Sequence, residues 1–283
     1  MLKTIFHQGD PSRLPALCAV GECLDPDTSH CEKCHATETH PHTRWWATGI
    51  LIHPRVVLTA AHSPRSDTIL GDRVLLPKLG SETEETPKGK ARKRAATNSF
   101  PERLLCVQRI HDHPKSKQHG FDARVLILMP VDGLEKELAK RRCALTEFNG
   151  DSTTRFHIDG FENLHSFTEG RPKPTTRSRL ASMAKDAHRP ETHGHVLGHE
   201  FVITPEVLRD GDGDPSEPSA AFGDSGAPVW IDDDHPAARV VGMYVRRSIN
   251  RPAMSNPDLV VLAWTMLLKG WVEDVMDRYG LKL

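Results

Sequence analysis

From Trp45 onward the apolar residues fall in short runs broken by Gly, Pro, Asp and charged clusters. The runs are Thr48 to Ile52, Val56 to Ala61, Leu104 to Ile110, Arg124 to Met129, Val229 to Ile231, Val240 to Val245 and Leu259 to Thr265. They are rich in Val, Ile and Leu, a pattern that predicts many short strands in an all-β sandwich or barrel. Two stretches carry a helical period instead. Residues 133–142 place Leu134 and Leu138 beside a mixed-charge face, and residues 266–279 space Leu267, Trp271, Val275 and Tyr279 at intervals of four. Two polar inserts interrupt the strands, residues 78–100 with the block Glu82 to Glu85 followed by Lys88 to Arg94, and residues 166–195, rich in Pro, Arg and Thr. Like-charge blocks usually stay solvated, so both inserts are expected to be loops.

Cysteine and histidine divide the chain further. Of 6 Cys and 17 His, Cys18, Cys23, Cys31 and Cys34 cluster near the start among His30, His35, His40 and His42, while Cys106 and Cys143 stand apart. Residues 1–43 therefore read as a separate Cys/His-rich N-terminal segment, a zinc-binding arm or a pro-segment. Four thiolates at this spacing suit a closed tetrahedral zinc site. Free thiols and disulfides are the alternatives. Cys31 to His35 also matches a c-type haem attachment string, but nothing downstream supplies the fold around a haem. His193, His195 and His199 read as part of a polar loop, and Asp210 to Asp214 as a surface turn, since Pro215 stands where an EF-hand needs glycine.

Charge and composition then exclude whole classes. With 37 Lys+Arg against 38 Asp+Glu the net charge is −1, which leaves no cationic surplus for nucleic acid or an anionic membrane. Hydrophobic residues make up 37% of the chain and Gly adds 20 residues, an ordinary globular composition able to bury a core. No run approaches the roughly 20 apolar residues of a membrane span. Met1 to Pro15 carries Lys3, His7, Asp10 and Arg13 without a continuous apolar stretch, so no secretory signal is read and a cytoplasmic location is expected. In that reducing compartment, cysteines are metal ligands or free thiols rather than a disulfide scaffold.

Three blocks carry chemistry. The first is a strand, a turn at His53 to Arg55, and a second strand, Val56 to Ala61, ending in His62. The second is His113-Pro114 followed by Phe121-Asp122 opening the apolar run to Leu128. The third is Phe222-Gly223-Asp224-Ser225-Gly226-Ala227-Pro228-Val229, a serine in a Gly-rich turn before a strand. Attack on a peptide carbonyl needs these parts. A serine hydroxyl is a weak nucleophile until an imidazole accepts its proton, and a carboxylate must fix the imidazole's tautomer and stabilise its charged form. Glycines beside the serine free backbone N–H groups to turn inward as an oxyanion hole.

The order and spacing of these blocks resemble the chymotrypsin/trypsin-like serine proteases, and specifically a cytosolic, disulfide-poor, bacterial-type member. Leu58 to His62, Asp122 to Leu128 and Gly223 to Pro228 match the family's three signatures, and Trp264-Thr265 and Trp271-Val272 resemble its final strand and C-terminal helix. The resemblance implies two packed six-stranded antiparallel β-barrels with a C-terminal helix, the first over about 44–145 and the second over about 146–283. Residues 44–283 would form the protease domain, with residues 1–43 as an extension. It also implies His62 as general base and acid, Asp122 as orienting carboxylate, Ser225 as nucleophile, the N–H groups of Gly223 and Ser225 as oxyanion hole, and no cofactor for catalysis.

Departures from the family pattern sharpen the expectation. Ala227 replaces the second glycine of the serine motif, Ser63 and Ala221 occupy usual cysteine positions, and Arg124 stands where alanine is common and needs an outward site or a partner. The resemblance puts Ser219 on the floor of the specificity pocket and Val245, Arg246 and Arg247 along its wall. A serine at the floor removes the carboxylate that selects Lys or Arg. A small or apolar pocket is favoured over a cationic rim for acidic residues, because rim arginines often extend to solvent. The resemblance makes Asp224 the carboxylate that a freed N-terminus would pair with on activation. No Ile-Val-Gly-Gly-like tetrapeptide is present, the nearest likeness being Ala19-Val20-Gly21-Glu22. The expected function is a serine endopeptidase acting on protein or peptide, with a latent precursor and an upstream activating protease among the options. The alternatives are a catalytically silent binding module and a small-molecule esterase.

Overall fold

A computed structural model describes residues 14–23, 43–63, 72–77, 100–117, 121–146, 155–162, 175–183, 200–205, 225–231, 239–247 and 260–283. The first six strands are β1 (Leu17–Cys23), β2 (Thr43–His53), β3 (Val56–Thr59), β4 (Asp72–Leu76), β5 (Arg103–Asp112) and β6 (Arg124–Leu128). They close into a barrel in the order β1-β2-β3-β6-β5-β4, sealed by antiparallel pairing of β1 with β4. Strands β3 and β6 are buried along their whole length, which is why Val56 to Leu58 and Val125 to Leu128 read as unbroken apolar runs.

A short helix α1 (Glu135–Arg141) then leads to β7 (Ala144–Leu145) and the second half: β8 (Arg155–Glu162), β9 (Thr175–Met183), β10 (Glu200–Pro205), β11 (Pro228–Ile231), β12 (Arg239–Arg247) and β13 (Val260–Trp264). These form one sheet in the order β11-β8-β9-β10-β13-β12-β7, and an added β11–β12 pairing closes six of the strands into a second ring. Strand β7 lies outside that ring, parallel to β12. Closing both sheets removes the unpaired edges that would otherwise invite aggregation. The chain ends in α2 (Thr265–Asp277), which buries Leu268, Val272, Val275 and Met276 in a core continuous with the first barrel and with Met243 and Val245 of the second.

Several expectations change here. Residues 1–43 are not wholly outside the barrel: β1 lies within them and is hydrogen-bonded to β2 and β4, so the first barrel begins before Trp45, while residues 1–13 and 24–42 lie outside the described residues. The run Leu17-Cys18-Ala19-Val20 supplies apolar side chains to the core, a role masked in the sequence by the neighbouring cysteines and histidines. The first-barrel boundary near 145 also shifts, because Ala144 and Leu145 already pair with β12. The insert 166–195 is not loop throughout, since Thr175–Met183 forms β9 and pairs with β8 at eight positions. The five consecutive polar residues Thr175 to Arg179 leave no apolar run to mark this strand in the sequence. On α2 and just beyond it, Val275 is fully buried and Trp271 and Tyr279 pack partly buried against the core, as the sequence register predicts, and Leu268, Val272 and Met276 widen that stripe; the Leu267 side chain lies outside the described residues.

Candidate active site

His62 sits three residues beyond the end of β3, and Asp122 two residues before β6, so the antiparallel pairing of β3 with β6 brings both to one end of the first barrel. Asp122 holds His62 twice. Its Oδ1 accepts the His62 backbone N–H at 2.8 Å, and its Oδ2 lies 2.6 Å from His62 Nδ1. On the other side of the ring, His62 Nε2 is 2.7 Å from Ser225 Oγ. The chemistry of the partners fixes the proton positions. An ionised carboxylate can only accept, so Nδ1 carries the hydrogen, and in a neutral imidazole that leaves Nε2 free to accept the Ser225 hydroxyl proton. The His62 side chain is 44% exposed and Asp122 17%, leaving the ring open to a substrate while its carboxylate is partly sheltered.

Ser225 arrives from the second barrel, in the turn before β11. Its position is set by backbone rather than by side chains. The Thr48 N–H of β2 donates to the Ser225 carbonyl at 2.9 Å, the Gly226 N–H donates to the Tyr244 carbonyl at 2.8 Å, and the Tyr244 N–H donates to the Ala227 carbonyl at 2.8 Å. Gly226 has φ +87, a left-handed backbone that L side chains rarely adopt. It also has no room: a Cβ there would sit on the Thr48 carbonyl oxygen and 2.5 Å from Thr59 Oγ1. That carbonyl is held in place by the Thr59 hydroxyl, which donates to it at 2.7 Å. Ala227 is accommodated in full burial. Thr48 and Thr59 were not singled out in the sequence, where they read as ordinary strand residues. Only the approach of the second barrel gives them a role.

The remaining candidates divide. Gly223, Asp224 and Ser219 lie outside the described residues, as do Cys31 and Cys34. Val245 is buried on β12, and Arg246 and Arg247 continue that strand opposite Val261 and Val260. Cys18 is corrected as a metal ligand: it is fully buried in the barrel core, where loss of hydration pushes its thiol pKa strongly upward, whereas a metal-binding cysteine must be a thiolate. Cys143 is likewise pushed up to about 12 by burial. Among the described residues no cluster of His, Cys, Asp or Glu is arranged to hold a metal. Ala19 to Glu22 is corrected as the likeness of an activation terminus, because all four residues pair with both β2 and β4 and freeing them would open the barrel. Arg124 has its partner: its Nε donates to Asp112 Oδ1 at 2.6 Å.

Two closed strand rings with a Ser-His-Asp relay between them define a chymotrypsin-like fold. Comparison of the whole chain with solved structures agrees. A human heparin binding protein aligns over 97% of this chain and 97% of its own with a TM-score of 0.56 and 15% identity, and an atomic-resolution structure of HBP aligns over 95% and 94% with a TM-score of 0.55 and 15% identity. No family model matches the sequence, and no curated protein matches it.

Proposed function

We propose that this chain is a serine endopeptidase that cleaves peptide bonds through an acyl-enzyme intermediate. The observation that carries the reading is the unbroken relay Asp122 Oδ2, His62 Nδ1, His62 Nε2, Ser225 Oγ, with separations of 2.6 and 2.7 Å. In the first step His62 Nε2 takes the Ser225 proton as Oγ bonds to the substrate carbonyl carbon, and Asp122 stabilises the imidazolium. The same proton then passes to the leaving amine. Water repeats the cycle on the ester, with His62 again as base. The oxyanion is assigned to the N–H groups of Gly223 and Ser225, the pocket to Ser219, Val245, Arg246 and Arg247, and the substrate to a protein or peptide that is not selected by Lys or Arg.

The described cysteines Cys18 and Cys143 are free thiols, which supports residence in a reducing compartment such as the cytoplasm. Synthesis as a latent precursor, cut by an upstream protease, belongs to the same proposal. The integration of β1 requires that such a cut spare residues 17–23. A structural zinc is kept as a proposal for Cys23, Cys31 and Cys34 without Cys18.

A fluorophosphonate probe tests the reading. Covalent labelling is expected in the full chain, before or after limited proteolysis, and none in Ser225→Ala, with cleavage of a peptide library by the labelled form. Ester turnover without any peptide cleavage would move the assignment to an esterase. The second reading is a silent binding module, favoured by the fact that a solved neighbour is named for binding heparin. The net charge of −1 gives no surplus for an anionic polysaccharide, so such a module would bind a protein partner. Absence of labelling under all conditions would establish that second reading over the first.

A further inference from the structure

The β3–β6 ladder runs from Val56 opposite Ile127 to Thr59 opposite Arg124 and ends there. Residues 60–63, which carry His62, then leave the sheet, and β6 no longer offers backbone donors to their carbonyls. Shielded carbonyls need donors from elsewhere. The guanidinium of Arg124 supplies them: Nη1 donates to the Ser63 carbonyl at 2.8 Å and Nη2 to the Ala61 carbonyl at 2.7 Å. These are the residues on either side of His62. With the His62 N–H taken by Asp122, three consecutive residues are held by two side chains that stand two apart at the entrance to β6.

The fork is itself fixed. Register places Asp112 of β5 directly opposite Arg124, where Nε donates to Oδ1 at 2.6 Å and Nη2 reaches Oδ2 at 3.5 Å. The Arg124 side chain is only 6% exposed, so water competes weakly for these bonds. Three nitrogens in one rigid plane serve three separate acceptor groups, which an ammonium on a flexible stem cannot do.

Resting on the protease reading, we infer that Arg124, braced by Asp112, is a positioning residue: it fixes the backbone on both sides of His62 and so keeps the imidazole between Asp122 and Ser225. The pair touches no reacting atom and acts through the main chain. The test uses the full chain with Arg124→Lys and Asp112→Asn, counting competent sites by fluorophosphonate titration and measuring kcat per titrated site and KM on one peptide substrate. The His62 Nδ1 proton is followed in parallel by downfield proton NMR. Expected for Arg124→Lys is a per-site kcat lower by about 10- to 100-fold, the scale of an ångström-size misplacement, with KM within about twofold and faster exchange of the Nδ1 proton. Asp112→Asn, which keeps an acceptor, is expected to show a smaller loss in the same direction. A purely structural role would reduce the number of titrated sites while leaving per-site kcat and the Nδ1 proton unchanged, and that result overturns the inference. If Arg124→Lys does not fold, Asp112→Asn decides by the same readouts. A wild-type chain that neither labels nor cleaves defeats the protease reading alone; the exchange rate of the Nδ1 proton then decides whether Arg124 holds His62.

Discussion

The two halves of the site are held by different means. On the first barrel, His62 stands on a segment that has left its sheet and is secured by side chains, Asp122 and Arg124, through four hydrogen bonds. On the second, Ser225 is secured by main-chain bonds at its own carbonyl and at Gly226 and Ala227, and by a glycine with no space for a side chain. In the proposed mechanism a general base must pass a proton between two partners, and a polar side-chain frame allows that while fixing the ring. The proposed nucleophile needs only a fixed point of attack. Backbone bonds and steric exclusion provide one without introducing charge.

Replacing Asp122 by Asn should have the largest effect, because it attacks the side-chain half at its centre. The Asn oxygen can still accept the His62 backbone N–H, but its NH2 must then face Nδ1, driving the ring proton to Nε2, where Ser225 needs an acceptor. A loss of about 10⁴-fold in kcat is expected with stability little changed. Steady-state kinetics beside thermal unfolding check it, and near-normal turnover would remove Asp122 from the relay.

Gly226→Ala strikes the backbone half. The strained φ and the overlap with Thr48 and Thr59 together should cost about 3 kcal/mol, read as a lower denaturant midpoint. Fewer sites titratable with a fluorophosphonate are expected as well. An unchanged midpoint would mean that the turn before β11 is free to move away from β2, and the contrast between the halves would dissolve.

The smallest effect is a pH dependence on the first-barrel side. Burial first, then the charge of Lys115, lowers the pKa of His113, which is stacked on Phe121 at 4.8 Å and packed edge-on against Trp271 of α2. Burial, then Arg278 and Arg109, lowers that of His111, whose Nε2 lies 2.8 Å from the Tyr279 hydroxyl. A folded-state value below the unfolded value of about 6.5 means that the unfolded chain takes up protons first as pH falls. The neutral-ring contribution is therefore complete above about pH 6.5 and declines as pH drops through that value toward the lowered folded one. Unfolding temperatures measured from pH 7.5 to 5 should fall, and His113→Gln should flatten part of the slope. A slope unaffected by that change would assign the acid response to other groups.

The relay was legible in the sequence because each member lies in a local block: a strand ending in His62, a strand opened by Asp122, and a turn of small residues around Ser225. The strands that were missed explain the limits. β1 was hidden among cysteines, and β9 was hidden by five consecutive polar residues, Thr175 to Arg179, since a strand paired on its backbone needs no apolar run. The Arg124–Asp112 brace was posed by the sequence only as a problem, a charge in an apolar strand needing a partner. Twelve residues separate the two, and only the β5–β6 register makes them opposite.

Local chemistry and periodicity, then, fixed the residue types, their order and the β class of this protein, because turns, buried runs and reactive groups depend on near neighbours. What the tertiary structure alone decided is everything that depends on two distant segments meeting. Closure of β1 onto β4 turned an apparent N-terminal arm into barrel wall and Cys18 into core. Docking of the second barrel on Thr48 gave Gly226 its lack of space. The distances of 2.6 and 2.7 Å that join Asp122, His62 and Ser225 exist because both barrels are closed and packed on one continuous core.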